Sequence, residues 1–285
     1  MSLKHYLLIL LLGIFQTVLA QTFIQTGQIG TFNSASSFSI NPAGYFYVSD
    51  AGRNEIIKLD TLGKVIKSVG GYGWTESSFD NPADVFANTL NVYVSDKNNN
   101  RIQLFDKDLN FLSQFSTLSS DDETIKFRYP TGSAVSTQGD LFILDSDNNR
   151  ILKYNARGEF QAAIGGYDAG SFSLITPKQF TISKTKILVL DSQFLVLFDQ
   201  FGNGIKKIKL AFVPDNINST FRNVCINDKS QIVFIDEANI ESGNFIPVNF
   251  LSKPEEEIID ALIFNAKLYL LTKNSIMIYK IVSRD

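Results

Sequence analysis

The segment Val94-Ser95-Asp96-Lys97-Asn98-Asn99-Asn100-Arg101-Ile102-Gln103-Leu104-Phe105-Asp106 returns about fifty residues later as Leu144-Asp145-Ser146-Asp147-Asn148-Asn149-Arg150-Ile151-Leu152-Lys153-Tyr154-Asn155. Self-similarity at such a period is the mark of an array of small units that cannot bury their apolar faces alone. Each copy reads as an apolar strand ending in Asp, an Asn-rich turn, and an Arg opening the next strand. The terminal Asp serves as a marker and falls at Asp50, Asp96, Asp145, Asp191 and Asp236, with Thr272 at the corresponding place in the last unit. Six units follow from that count.

Apolar and polar residues alternate along most of the chain, and helical spacing is nowhere sustained. Within one unit an innermost strand (Asp84 to Ala87) precedes a second (Leu90 to Ser95), a third (Arg101 to Phe105) and a fourth (Phe111 to Phe115). Asp, Asn and Gly at the turns tolerate the left-handed backbone that tight hairpins need. Four short antiparallel strands per unit predict propeller blades rather than a sandwich. The last unit stops one strand short, after Ser275–Val282, while Phe23–Ile29 stands as an orphan fourth strand. The expected fold is therefore all-β: a six-bladed β-propeller of four-stranded antiparallel blades, closed by the N-terminal strand completing the last blade.

Lys4 and His5, the apolar run Leu7 to Phe15 and Val18-Leu19-Ala20 read as a signal peptide cleaved after Ala20. The apolar run is too short to span a bilayer. The expectation is a secreted or periplasmic protein without a membrane span, with residues 21–285 forming a single domain and acting as a monomer. One cysteine, Cys225, leaves no internal disulfide and reads as a small buried hydrophobe. The formal net charge of −3 comes without any basic cluster, which excludes nucleic acid as a partner.

The pattern strand-Asp-x-x-Asn-Asn-Arg-Ile, followed by Gly70-Gly71-Tyr72-Gly73 and Phe79-Asp80-Asn81-Pro82, resembles the NHL-repeat family of β-propellers. Units two and three carry the resemblance best and unit one is a fair copy. Unit four keeps Asp191 without the Asn-Arg turn, and the last two units diverge further. The resemblance implies a six-bladed propeller, and it implies no single activity, because the family hosts binding modules and enzymes alike.

Asp96 with Arg101, and Asp145 with Arg150, flank a turn and read as structural braces, since what every unit repeats serves the unit. Aligning the units on the marker places Ser37, Asp84, Gly132, Gln179, Asn223 and Asp260 just before the innermost strands, around one mouth of the central channel. Ser37, Asp84, Gln179, Asn223 and Asp260 would form a polar, oxygen-rich funnel with a gap at Gly132. Asp84, Asn223 and Asp260 are of the type that holds calcium; Lys178 and Arg222, one residue upstream in two units, could instead pair with the acids. The connecting loops offer a second surface in Trp74, Arg128 and Tyr129, the residue types that anchor protein contacts. Asn218-Ser219-Thr220 is formally a glycosylation acceptor.

The only histidine is His5. Imidazole zinc sites and Ser-His-Asp or Cys-His catalysis are thereby excluded from the mature chain. No catalytic residues are assigned. The expected function is an exported, non-enzymatic scaffold binding a protein, peptide or glycan through its loops and funnel, without a cofactor other than calcium at most. The alternative is a calcium-dependent, lactonase- or esterase-like hydrolase working in the central channel, although the aligned ring lacks the Glu that such enzymes carry.

Overall fold

A computed structural model describes residues 21–282; the signal-peptide reading of residues 1–20 lies outside the described residues. Strand β1 (Gln21–Ile29) comes first. Four antiparallel sheets then follow in chain order: β2–β5 (Ala35–Ile40, Tyr45–Asp50, Glu55–Asp60, Val65–Gly70), β6–β9 (Pro82–Ala87, Asn91–Asp96, Arg101–Asp106, Phe111–Phe115), β10–β13 (Gly132–Val135, Leu141–Asp145, Arg150–Tyr154, Phe160–Ile164) and β14–β17 (Pro177–Ile182, Lys186–Asp191, Phe194–Asp199, Gly204–Lys209). Next come β18–β21 (Asn216–Thr220, Asn223–Asn227, Ile232–Asp236, Ile246–Phe250) and β22–β24 (Asp260–Phe264, Lys267–Leu271, Ile276–Ile281). These last seven strands and β1 form one eight-stranded sheet in the order β18-β19-β20-β21-β1-β24-β23-β22.

This topology corrects the expectation of six separate blades: the propeller has four four-stranded sheets and one of eight. The strand that makes the difference is β1, which has partners on both edges. It runs antiparallel to β24 from Phe23↔Ile281 to Ile29↔Ile276, with a register irregularity between Gln25 and Gly27. Its first three residues also pair in parallel with β21, from Gln21↔Val248 to Phe23↔Phe250. At nine residues β1 outruns the five- and six-residue strands beside it. Its other backbone edge would otherwise lie unpaired, and pairing it with β21 satisfies those groups. Side-chain alternation reports which face of a strand is buried, but not which backbone edge finds a second partner.

In each four-stranded sheet the fourth strand is the least buried. The second strand of the fourth sheet, Ile187-Leu188-Val189-Leu190, is wholly buried because neighbouring sheets cover both its faces. The outermost β5 is exposed along most of its length. The core accordingly lies between adjacent sheets: Phe142, Leu144 and Ile151 of the third meet Phe180, Val189 and Phe198 of the fourth.

The recurring Asp has a specific task in this packing. Asp50 accepts from the backbone N–H groups of Asn33 and Ser34, at 2.8 and 2.9 Å. Asp96 accepts from Asp80 N–H, Asp145 from Arg128 N–H, and Asp191 from Ile175 and Thr176 N–H. Each is buried and clamps the loop that leads into its own sheet's innermost strand. Charged acceptors make strong bonds to backbone donors there.

The fifth unit departs from the alignment. Asp236 ends β20, the third strand of its run, rather than the second. The structural counterpart of the marker is Asp228, whose backbone N–H bonds Gln231 C=O as Thr272 N–H bonds Ser275 C=O.

Candidate functional site

The six innermost strands β2, β6, β10, β14, β18 and β22 surround a central cavity of about 320 Å³. Four of the funnel residues expected from sequence, Ser37, Asp84, Gln179 and Asp260, line it together. Asn223 does not. It opens β19, a second strand, and pairs with Thr220 and Asp236. Its place on the ring belongs to β18, which contributes Asn216 and Asn218. The signal for the right strand was present, since Asn216 precedes Asp228 by the same dozen residues that separate Asp260 from Thr272. Asp236 drew the alignment one strand too far because it too ends an apolar run.

The Asp84 carboxyl accepts from Ser37 Oγ–H at 2.7 Å, Gln179 Nε2 at 3.3 Å and Ser133 N–H at 3.2 Å. Gln179 can reach it because Gly132 lies between: a Cβ on Gly132 would collide with Gln179 Oε1. What reads in the sequence as a gap in the ring is space that the neighbouring amide fills. On β22, separated from β6 only by β2, Asp260 accepts from Ala261 N–H at 2.7 Å and from Asn218 Nδ2 at 3.1 Å. Asn218 Nδ2 also donates to Phe38 C=O at 3.1 Å. A glycan on Asn218 would break both bonds and fill the cavity, so the folded chain does not present this acceptor.

Both carboxyls are buried, and burial disfavours their charged forms. Asp84 is pushed up to about 6, against the opposing pull of its hydrogen-bond donors. Asp260 is pushed up to about 8 by burial first, with the neighbouring Asp84 charge adding to it. Neither has a cationic side chain as partner among the described residues. Lys178 pairs with Asp215 at 2.6 Å and Arg222 with Asp236 at 3.0 Å, both away from the cavity acids. No group of three or more carboxylate, imidazole or thiol side chains with metal-binding arrangement occurs among the described residues.

Antiparallel strands send alternate connections to opposite ends of a sheet. The cavity opens toward the hairpins joining first and second strands, past Thr89, Thr137, Lys184 and Phe221. The loops from each fourth strand to the next first strand lie at the other end, together with the Asn-rich turns. Trp74, Tyr129 and Arg128 are on that second face, with Tyr72 and Tyr167. Trp74 is 75% exposed and Tyr167 98%.

The Trp74 loop is held firmly for so exposed a segment. Arg101, itself buried and bonded to Asp96 at 2.7 Å, donates to the backbone carbonyls of Trp74, Thr75 and Ser78 at 2.8–2.9 Å. Asn99 Nδ2 adds a bond to Gly73 C=O at 2.8 Å. Tyr129 adopts a left-handed φ of 47° and is fixed through its N–H by Asn100 Oδ1 and through its C=O by Ser146 Oγ–H. Arg128 sits between Glu123 at 3.4 Å and Asp147 at 3.9 Å, half-exposed. The Asp–Arg brace thus reaches beyond its own turn and shapes the loop face.

Residues 127–154, which run from the Tyr129 loop through β10, β11 and β12, match the NHL repeat. The chain carries an NHL repeat. Among curated proteins, Protein brain tumor of Drosophila melanogaster is 33% identical over 144 residues, covering 48% of this chain and 13% of its own length. The B-box type zinc finger protein ncl-1 of Caenorhabditis elegans is 32% identical over 147 residues, covering 50% of this chain and 17% of its own length. The NHL-repeat chain therefore spans less than a fifth of the length of these relatives. Among solved structures, a streptogramin B lyase superposes with a TM-score of 0.60 at 10% identity, over 90% of this chain and 97% of its own. The Pan2 WD40 domain of Neurospora crassa gives 0.58 at 8% identity, over 92% of this chain and 97% of its own. At such identities the likeness is one of fold.

Proposed function

We propose that the chain is an exported, non-enzymatic propeller scaffold that holds a protein or peptide partner against its loop face. The observation that carries this reading is Trp74: the sole tryptophan of the chain stands exposed on a loop whose carbonyls a buried guanidinium immobilises. An aromatic anchor displayed on a rigid backbone gives contact area while little conformational freedom is lost on binding. Tyr72, Tyr129 and Tyr167 extend the apolar surface, and Arg128 supplies a planar donor beside it. The pairing of β1 with β24 and β21 ties the beginning of the described chain to its end, in keeping with a single domain. Export rests on the basic start at Lys4 and His5, the apolar run and Ala20.

The hydrolase alternative draws no support from the cavity. Calcium takes six to eight oxygens, whereas most acceptor positions on Asp84 and Asp260 are already filled by protein donors. Among the described residues no histidine stands near them to serve as base. Cys225, close enough to feel the Asp260 charge, is wholly buried with its thiol pushed up by burial first, which leaves it no nucleophile.

A photo-reactive amino acid placed at Trp74 tests the binding face. It should crosslink one defined partner in the native compartment. The same group at Leu62, which is 87% exposed at the opposite end of the sheets, should not. Equal labelling from both positions, or from neither, would refute the assignment.

A further inference from the structure

We propose that the central cavity binds an organic ammonium ion, with its NH3+ group on the Asp84 and Asp260 carboxyls and its hydrocarbon body against Phe86 and Ile182. This does not depend on the loop-face reading, because the cavity opens at the other end of the sheets.

The first ground is a pair of buried acids without a cationic partner. Asp84 and Asp260 are 9% and 2% exposed and line the same cavity, yet neither forms an ion pair. Buried carboxylates in folded proteins are ordinarily paired or metal-bound. The ionisable side chains facing the cavity are these two acids together with Lys184 and Glu237 at the mouth. Of the latter pair, Glu237 Oε1 accepts from the Lys184 backbone N–H at 3.1 Å.

The second ground is the count of open acceptors. An ionised carboxylate offers about four lone-pair sites. Asp84 uses three on Ser37, Gln179 and Ser133, and Asp260 uses two on Ala261 and Asn218. The Val85 and Phe38 backbone N–H groups also lie within reach of Asp84 and Asp260, so little more than one acceptor site stays open across the pair, room for one N–H of an ammonium group. That number falls far short of a calcium shell.

The third ground is the wall. Phe86 and Ile182 are half-buried, and Ala134 and Ile217 complete an apolar lining above the acids. Such a wall gains nothing from a hydrated divalent ion, but it removes the alkyl or aryl body of an amine from water. A cavity of about 320 Å³ accommodates a ligand of roughly six to ten heavy atoms. The raised carboxyl pKa values agree with this placement, since an arriving cation would restore the charged forms that burial disfavours.

The ammonium group can come from a free amine or from a lysine side chain, and calorimetry on the full chain separates these sources. The probes are hexylamine, 1-hexanol, acetyl-lysine amide, its Nζ-acetylated form and calcium chloride. Hexylamine should bind at pH 8.5 at least roughly ten-fold more tightly than 1-hexanol. Its affinity should weaken by a similar factor or more at pH 5, where both carboxyls hold protons. Asp260→Asn should abolish the preference for the charged probe. Binding of acetyl-lysine amide but not of its acetylated form would name a peptide side chain as the source; binding of hexylamine alone would name a free amine. Equal affinity for hexylamine and 1-hexanol, no binding of any amine, or saturable calcium binding that excludes hexylamine would overturn the proposal. The comparison of charged and neutral probes on the unaltered chain stands even if the variant fails to fold.

Discussion

Replacing Asp260 by Asn should change how stability depends on pH, and the sign of the change is fixed by the structure. The Asp260 carboxyl titrates near 8 in the folded chain, against about 3.9 for an unfolded Asp. Between those values the folded chain holds a proton that the unfolded chain has lost. The stabilising contribution is therefore complete below pH 4 and is lost as pH rises through 8, at about 1.4 kcal/mol per pH unit. From pH 5 to pH 8 that amounts to about 4 kcal/mol, an upper figure because water can enter the cavity. An amide in place of the carboxyl would be neutral throughout and would escape this loss. It carries a different cost: with its carbonyl accepting from Ala261 N–H, its NH2 group would face the Asn218 amide, two donors together, at about 1–3 kcal/mol. Urea denaturation of both proteins at pH 4, 6.5 and 8.5 should show curves that cross, with D260N weaker at pH 4 and equal or stronger at pH 8.5. A difference in free energy that stays constant across this range would refute the reasoning, because it would mean that Asp260 has the same proton affinity folded and unfolded.

Arg101→Lys keeps the charge but loses the fork that reaches Asp96, Gln114 and three loop carbonyls. Urea unfolding should show a loss of about 3 kcal/mol, and limited proteolysis should cut near Trp74. Gly132→Ala should displace Gln179 from Asp84, costing about 1 kcal/mol and moving the Asp84 titration upward by carboxyl NMR; an unmoved titration would show that Gln179 does not hold this acid. Cys225 is wholly buried and its thiol is pushed up by burial, so a maleimide should label it only after denaturant is added. Trp74→Ala should leave stability within about 0.5 kcal/mol, which separates its binding role from any structural one.

The repeat was legible because turns and buried Asp residues obey local rules. Asp50, Asp96, Asp145 and Asp191 each close a second strand and clamp an incoming loop, so a marker chosen by pattern coincided with a physical task. The pattern failed at Asp236, where an apolar run ending in Asp occurs on a third strand, and Asn223 was drawn into the ring in place of Asn216 and Asn218. The double pairing of β1 was not legible, because it depends on backbone edges about 230–250 residues away in the chain. Nor did the sequence show that Gln179 fills the space over Gly132, since that contact joins two different sheets.

The double pairing of β1 also has a consequence in time. Synthesised before the other described strands, this strand finds its main partner some 250 residues later: Thr26 Oγ1 donates to the carbonyl of Ile278. Contacts so distant along the chain close slowly. During that delay β21 and β24 each present an unsatisfied edge to whatever strand comes by, including one from another copy of the chain. The stage most exposed to misassembly is thus the last one, when a segment that has waited longest must settle between two neighbours at once.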